Sequence, residues 1–182
     1  MKKLFLATMA LLAFSLQIDA QKIGTKDAKV QFDASSPLEP IKATNNSGTV
    51  ALNTATGDVA ARVLIKNFIF KQATMQEHFN ENYLESTKYP NSTLKGKITN
   101  LSDVKFGTDG TYNAKIKGTL EMHGVTKDVE VPAVITVKDG VTSFKSELKI
   151  ACADYKIAIP SVVADKIAKD VKINIEGVLK AN

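Results

Sequence analysis

Two histidines, His78 and His123, and one cysteine, Cys152, carry the side chains best suited to chemistry in this chain of 182 residues. A histidine beside a carboxylate or a hydroxyl can move a proton, so Glu77, Asp154 and Ser161 are the partners that a hydrolytic site would recruit. The spacing does not ask for such a site. The histidines are far apart in sequence, and the chain has no H-x-x-x-H or C-x-x-C pair to hold a metal. It also has no G-x-S-x-G, phosphate-binding loop or dinucleotide fingerprint. The expectation is therefore a protein that is not an enzyme, without a catalytic residue, metal or cofactor. As the single cysteine, Cys152 has no partner for an intrachain disulfide. It continues the series Phe144, Ser146, Leu148, Ile150 and reads as a small, inward-facing hydrophobe. The Asn-x-Ser/Thr matches at Asn45, Asn91 and Asn100 carry little weight on their own.

What these residues sit on is a sheet. Between Thr111 and Lys138 the side chains alternate in character. Tyr112, Ala114, Ile116, Gly118, Leu120 and Met122 are apolar or small, and Thr111, Asn113, Lys115, Lys117, Thr119 and Glu121 are polar. After His123-Gly124-Val125-Thr126 the alternation resumes with Val129, Val131, Ala133, Ile135 and Val137 on one side, Pro132 and Val134 being the irregular members. A period of two gives one buried and one wet face, hence an antiparallel hairpin.

The rest of the chain repeats the device. Strands are expected at 27–32, 49–53, 59–70, 93–99, 141–152 and 170–180, with a short one at 103–106, and 34–48 reads as an irregular loop. Within 59–70 the apolar phase changes between Ile65 and Phe68, which predicts a bulge or sharp bend near Lys66-Asn67. Thr74 and Glu77 have capping-box spacing, and Met75, Phe79 and Tyr83 recur every fourth residue, so a helix over 74–86 should lay that stripe across one opening. A second short helix is expected over 161–169. The whole is mainly β, with about eight antiparallel strands and one or two short helices, and closes as an up-and-down barrel or packs as a sandwich.

An eight-stranded barrel is either filled by its own side chains or holds one small guest. Gly96, Gly118, Ala133, Ser146 and Gly177 are inward by parity and fall near mid-strand. They either curve the strands or leave room for something that is not protein. With Phe32, Ile116, Leu120, Met122, Phe144 and Leu148 as apolar lining and Phe79 from the helix above, the candidate ligand-binding set includes Gly118, Ser146 and Gly177 as the residues that make space. Such a tube suits an alkyl or isoprenoid chain. At roughly 0.8 kcal/mol per methylene, some fifteen buried carbons supply on the order of 12 kcal/mol against association costs of about 4–15 kcal/mol. The rival reading is a solid-core module of the envelope that acts through its outer surface, with Pro132, Val134, Val141 and Val178 as outward apolar positions.

The first twenty residues have the layout of a secretory signal, with Met1-Lys2-Lys3, an apolar run from Leu4 to Leu16, and Asp19-Ala20 before a cut at Gln21. The remaining single domain, 21–182, is expected in the periplasm or secreted, with no stable insertion in a membrane after cleavage. The formal net charge is +5. Its basic residues are scattered lysines, with Arg62 the one arginine, so no nucleic-acid partner is expected. The oligomeric state stays open, a dimer included.

Three segments resemble the YceI-like family. Met75 to Pro90 (MQEHFNENYLESTKYP) is similar to its helix-and-exit motif, and Gly118 to Lys127 (GTLEMHGVTK) to its hairpin motif. Asp154-Tyr155-Lys156-Ile157, followed by Pro160, is similar to its late connector. The resemblance runs over essentially the whole chain after Gln21. It implies a lipocalin-like antiparallel barrel in the periplasm whose interior holds a polyisoprenoid or other amphiphilic lipid, with no transferable catalytic motif.

Overall fold

The computed structural model describes residues 22–181, so the expected export signal lies outside the described residues. Eight long strands alternate in direction and close into a barrel. They are β1 (Lys22–Ser35), β2 (Lys42–Asn53), β3 (Asp58–Leu64), β5 (Asn91–Ile98), β6 (Gly110–Met122), β7 (Val125–Lys138), β8 (Val141–Ala151) and β9 (Ile167–Ala181). The order β1-β9-β8-β7-β6-β5-β3-β2 is closed by pairing of β1 with β2, and every pairing is antiparallel. The two-residue β4 (Ile69–Phe70) adds to the upper end of β2 through Ala43↔Phe70 and Thr44↔Ile69. Closure removes the exposed edges that an open sheet of this length would present.

The central hairpin follows the alternation read from it. Ala114, Ile116, Leu120 and Met122 on β6 are buried, as are Val131, Ala133, Ile135 and Val137 on β7, while the intervening lysines are exposed. The turn between them uses His123 and Gly124, both with positive φ (51° and 71°).

Several expected boundaries differ. The first strand spans 22–35 rather than 27–32. Most of the expected loop at 34–48 is strand, because β2 begins at Lys42; its polar residues alternate with Ala43 and Asn45, which are buried. The bend near Lys66-Asn67 is a 3-10 turn over Ile65–Asn67 that ends β3 and lets both Ile65 and Phe68 point inward. The 74–86 helix is shorter, an α-helix α1 (Ala73–His78) running into a π-helical turn (Phe79–Tyr83). The capping box is not made: Gln72 holds the cap position, without a side-chain bond. The expected strand at 103–106 is a 3-10 turn over Leu101–Asp103 and its exit. The expected helix at 161–169 is a 3-10 turn over Ser161–Val163, because Ile167 to Lys169 join β9, with Ile167 opposite Ser35. Sheet pairing has overridden a weak helical pattern there.

The interior has two tiers. At the lower end, which carries both described chain ends and the turns after β2 and β7, Ile23, Ala28, Leu52, Ile98, Ala114, Ile116, Ala133, Ile135, Val137 and Leu179 form one buried cluster. At the upper end Phe32, Phe68, Phe70, Leu120, Met122, Ile150, Cys152, Tyr155 and Ile157 form another. The connections 36–41, 65–90 and 152–166 lie at that upper end, and the β5–β6 connection (99–109) lies at the lower one.

Candidate functional site

Two ladders stop halfway up the barrel. β7 and β8 pair only from Ala133↔Ser146 to Lys138↔Val141, and β2 and β3 only from Thr49↔Arg62 to Leu52↔Val59. At the first seam the cause is Pro132, which has no N–H to offer the next rung. The Ser146 hydroxyl donates to the freed Pro132 carbonyl at 2.7 Å. At the second, β2 shifts register against β1 between Gly48 and Asn45, and Asn45, fully buried, fills the breach. Its amide donates to the Leu64 carbonyl at 2.9 Å, while its Oδ1 accepts from the Ser47 N–H (2.9 Å) and hydroxyl (2.8 Å). Below the seams the interior is filled by the lower cluster; above them it is open.

The widened part holds a cavity of about 460 Å³. Its wall is carbon from almost every strand, including Val30, Val63, Leu94, Leu120, Met122, Ile150 and Ile173. An aromatic group stands at its top. Phe79 stacks on Phe32 at 5.2 Å between ring centroids and meets Phe70 at 5.0 Å and Phe68 at 5.7 Å. Met75 and Tyr83 join Phe79 in packing on this cluster, so the expected stripe does face the barrel. The opening lies between the β1–β2 turn, α1 and the β8–β9 connector, where Glu39, Gln72, Thr74, His78 and Lys166 supply the polar rim. The cavity also reaches Thr49 and Arg62 at the head of the β2–β3 ladder. Burial pushes the Cys152 thiol up from its ordinary value, with Asp170 adding to it, and burial likewise pushes up the Tyr83 phenol. Both line the cavity as neutral groups at ordinary pH.

Of the ten residues expected to contact a ligand, Phe32, Phe79, Leu120, Met122 and Leu148 line this cavity. Ile116, Gly118, Phe144, Ser146 and Gly177 do not, and each has another task. Ile116 is buried in the lower cluster. Gly118 sits opposite Gly96, where β5 and β6 approach so closely that a Cβ on Gly118 would collide with the Lys95 carbonyl and the Gly96 Cα. The Phe144 ring covers its ladder partner Gly177, 3.0 Å from where a Cβ would stand. Ser146 closes the seam at Pro132. The small residues therefore serve curvature and close packing, and the space comes from the seams above them. Sequence reading missed Ile65, Phe68, Phe70 and Ile157, which line the cavity from a 3-10 turn, loops and the two-residue β4, too short to show a period. It also missed the meaning of Pro132, whose place in a long central strand was the available signal.

His78 and His123 do not meet. His78 is on the rim, while His123 ties the upper loops together, its Nδ1 donating to the Tyr155 carbonyl at 2.9 Å and its Nε2 lying 2.8 Å from Glu85 Oε2. Among the described residues no three His, Cys, Asp or Glu side chains converge as a metal site would require.

Residues 22–179 match the family model of the YceI-like domain. The chain belongs to the YceI-like family. Solved structures agree on the fold of this YceI-like protein. A polyisoprenoid binding domain from Saccharophagus degradans, implicated in plant cell wall breakdown, is 13% identical with a TM-score of 0.76, over 90% of this chain and 99% of that one. Burkholderia cenocepacia BcnA is 15% identical with a TM-score of 0.69, over 85% and 96%. The Campylobacter jejuni YCEI protein is 21% identical with a TM-score of 0.57 over the whole of both chains. No protein of curated function matches the chain. All three motifs that carried the resemblance converge at His123: Glu85 and Tyr89 come from the first, His123 from the second and Tyr155 from the third.

Proposed function

We propose that this YceI-like protein is a binding or carrier protein of the bacterial envelope that holds the hydrocarbon part of an isoprenoid or other amphiphilic lipid in the upper tier of its barrel. The observation that carries the reading is the apolar cavity itself, walled mostly by carbon, with Glu39, Gln72, Thr74, His78 and Lys166 gathered at its upper opening. That layout suits a molecule with a long apolar body and a polar head. The family and a neighbour named for polyisoprenoid binding support it. The same reading puts the chain in the periplasm after removal of residues 1–20, without stable membrane insertion; among the described residues no helix is long and apolar enough to cross a bilayer. Catalysis, a metal and a nucleic-acid partner have no place in it.

The rival of a solid-core module fits only the lower tier. Its outward apolar positions Pro132, Val134, Val141 and Val178 are exposed as expected, but only in small groups: Pro132 beside Val134 on β7, and Val141 and Val178 with Phe106 around a small hollow at the lower end. Exposed apolar groups of two or three side chains are ordinary on a protein surface and need no partner to explain them. Organic extraction of protein purified from the envelope fraction, followed by mass spectrometry, tests the proposal. Lipid recovered in about one-to-one ratio is expected, and protein that is lipid-free in repeated preparations would overturn it.

A further inference from the structure

The cavity has a floor, and the floor is made of identifiable residues. Val50, Ala61 and Leu94 are ladder neighbours across β2, β3 and β5, and Val131 and Leu148 belong to β7 and β8. All five line the cavity from above and pack in or against the lower cluster from below. Beneath them the barrel has no room for a chain to pass. Ile116, Ala133 and Ile135 are buried there, the Phe144 ring lies over Gly177, and the β5 and β6 backbones touch at Gly96 and Gly118.

We propose that this floor makes the cavity a length gauge, which accepts a single hydrocarbon chain and rejects one much longer than the cavity is deep. This deepens the lipid-binding reading and rests on it. An apolar cavity of about 150 Å³ takes one benzene, roughly 25 Å³ per carbon, so 460 Å³ holds about eighteen carbons. Saturated chains of that size, and isoprenoids of about three or four units, fit within the wall. A chain of some forty carbons would leave more than half its length outside, on the scale of roughly 25 Å³ per carbon.

The gauge has a distinctive signature when the donor is a bilayer. A methylene that moves from bilayer to cavity exchanges one apolar environment for another, so chain length is almost neutral until the floor is reached. Each further methylene must stand in water, which at about 0.8 kcal/mol lowers occupancy roughly fourfold.

The experiment mixes delipidated protein with phosphatidylcholine vesicles doped equally with saturated fatty alcohols from about twelve to about twenty-eight carbons, a range centred near the chain length set by the volume argument. Native mass spectrometry of the recovered protein reads which chains it holds. The expected profile is level to about eighteen carbons and then falls about fourfold per added methylene. Leu148→Ala should move the cut-off up by about three carbons, the number its side chain loses, and Ala61→Leu should move it down by about as many. Leu94→Ala replaces Leu148→Ala if that variant does not fold. A profile that stays level across the range overturns the gauge and leaves the lipid-binding reading intact. A cut-off that none of the folded floor variants moves overturns the floor. Capture of no alcohol of any length, by protein whose melting shows it folded, counts against the lipid-binding reading itself.

Discussion

Nε2 of His123 lies 2.8 Å from Oε2 of Glu85, and this contact joins two loops on which the upper tier depends. Tyr155 can offer only its carbonyl oxygen to the other ring nitrogen, so Nδ1 carries the proton there. The imidazole is only 10% exposed and its edge meets the Tyr89 ring at 4.8 Å. It therefore ties the exit of the α1 segment to the β6–β7 turn and the β8–β9 connector.

Replacing His123 by Ala leaves the carbonyl of buried Tyr155 unmatched, while the more exposed Glu85 can turn to water, at a cost of about 1–3 kcal/mol. Equilibrium urea unfolding should show that loss. Lipid retention should fall with it, because Leu84, Met122 and Ile157 beside the tie line the cavity. An unchanged midpoint would mean that the loops are held by their other contacts.

Gly118→Ala tests why the small residues are there. Its Cβ would run into the backbone of β5, which cannot move aside as a flexible side chain can. The expected cost is at least about 2 kcal/mol, read as a lowered melting temperature. Gly177→Ala meets the Phe144 ring instead and should cost less. If both are neutral, the close approach of β5 and β6 is not a constraint.

Phe79→Ala removes the ring that contacts Phe32, Phe68 and Phe70 together. Phe79 is half-buried, so the loss should be about 2–3 kcal/mol, accompanied by faster lipid loss through the opening. A variant that keeps both stability and lipid would show that the α1 segment does not cover the cavity.

Much of this was legible in the sequence, for physical reasons that differ by element. The β6–β7 hairpin was readable residue by residue because one face is buried and the other wet, and the period of two then fixes parity. Phe32, Leu120, Met122 and Leu148 followed from parity alone. Depth along the axis did not. Ile116 and Leu120 share a face of β6, yet one is in the lower cluster and the other lines the cavity. Which tier stays open depends on the two broken ladders, and those involve residues distant in sequence such as Pro132 with Ser146 and Asn45 with Leu64. The helix expected over 161–169 failed because Ile167 had a strand partner in Ser35, which no local pattern announces.

The β1–β2 ladder carries a pH dependence. Asp33 faces Lys42 as its ladder partner, with Oδ2 3.0 Å from Nζ, and accepts from the Ser35 N–H at 3.0 Å. Partial burial, the largest single influence, works against the charge, but the Ser35 bonds and Lys42 outweigh it and hold the carboxyl at about 2, below its ordinary 3.8. A carboxyl held down in the folded state adds stability above its unfolded value, and that stability is lost as pH falls from about 4 toward 2. The pair is partly in water, so screening leaves no more than about 1 kcal/mol. Asp33→Asn should remove this increment at neutral pH and leave stability near pH 2 unchanged; equal effects at both would contradict the assignment.

Cys152 offers the most direct test of where a ligand sits, because this single thiol of the chain is buried and lines the cavity. Delipidated protein is titrated with hexadecanol while modification of Cys152 by a small apolar thiol reagent is followed by intact mass. The account predicts that one bound alcohol per chain suppresses modification in proportion to occupancy. Alcohol that binds while Cys152 reacts at its unliganded rate would place the ligand elsewhere and contradict a lipid site inside the barrel.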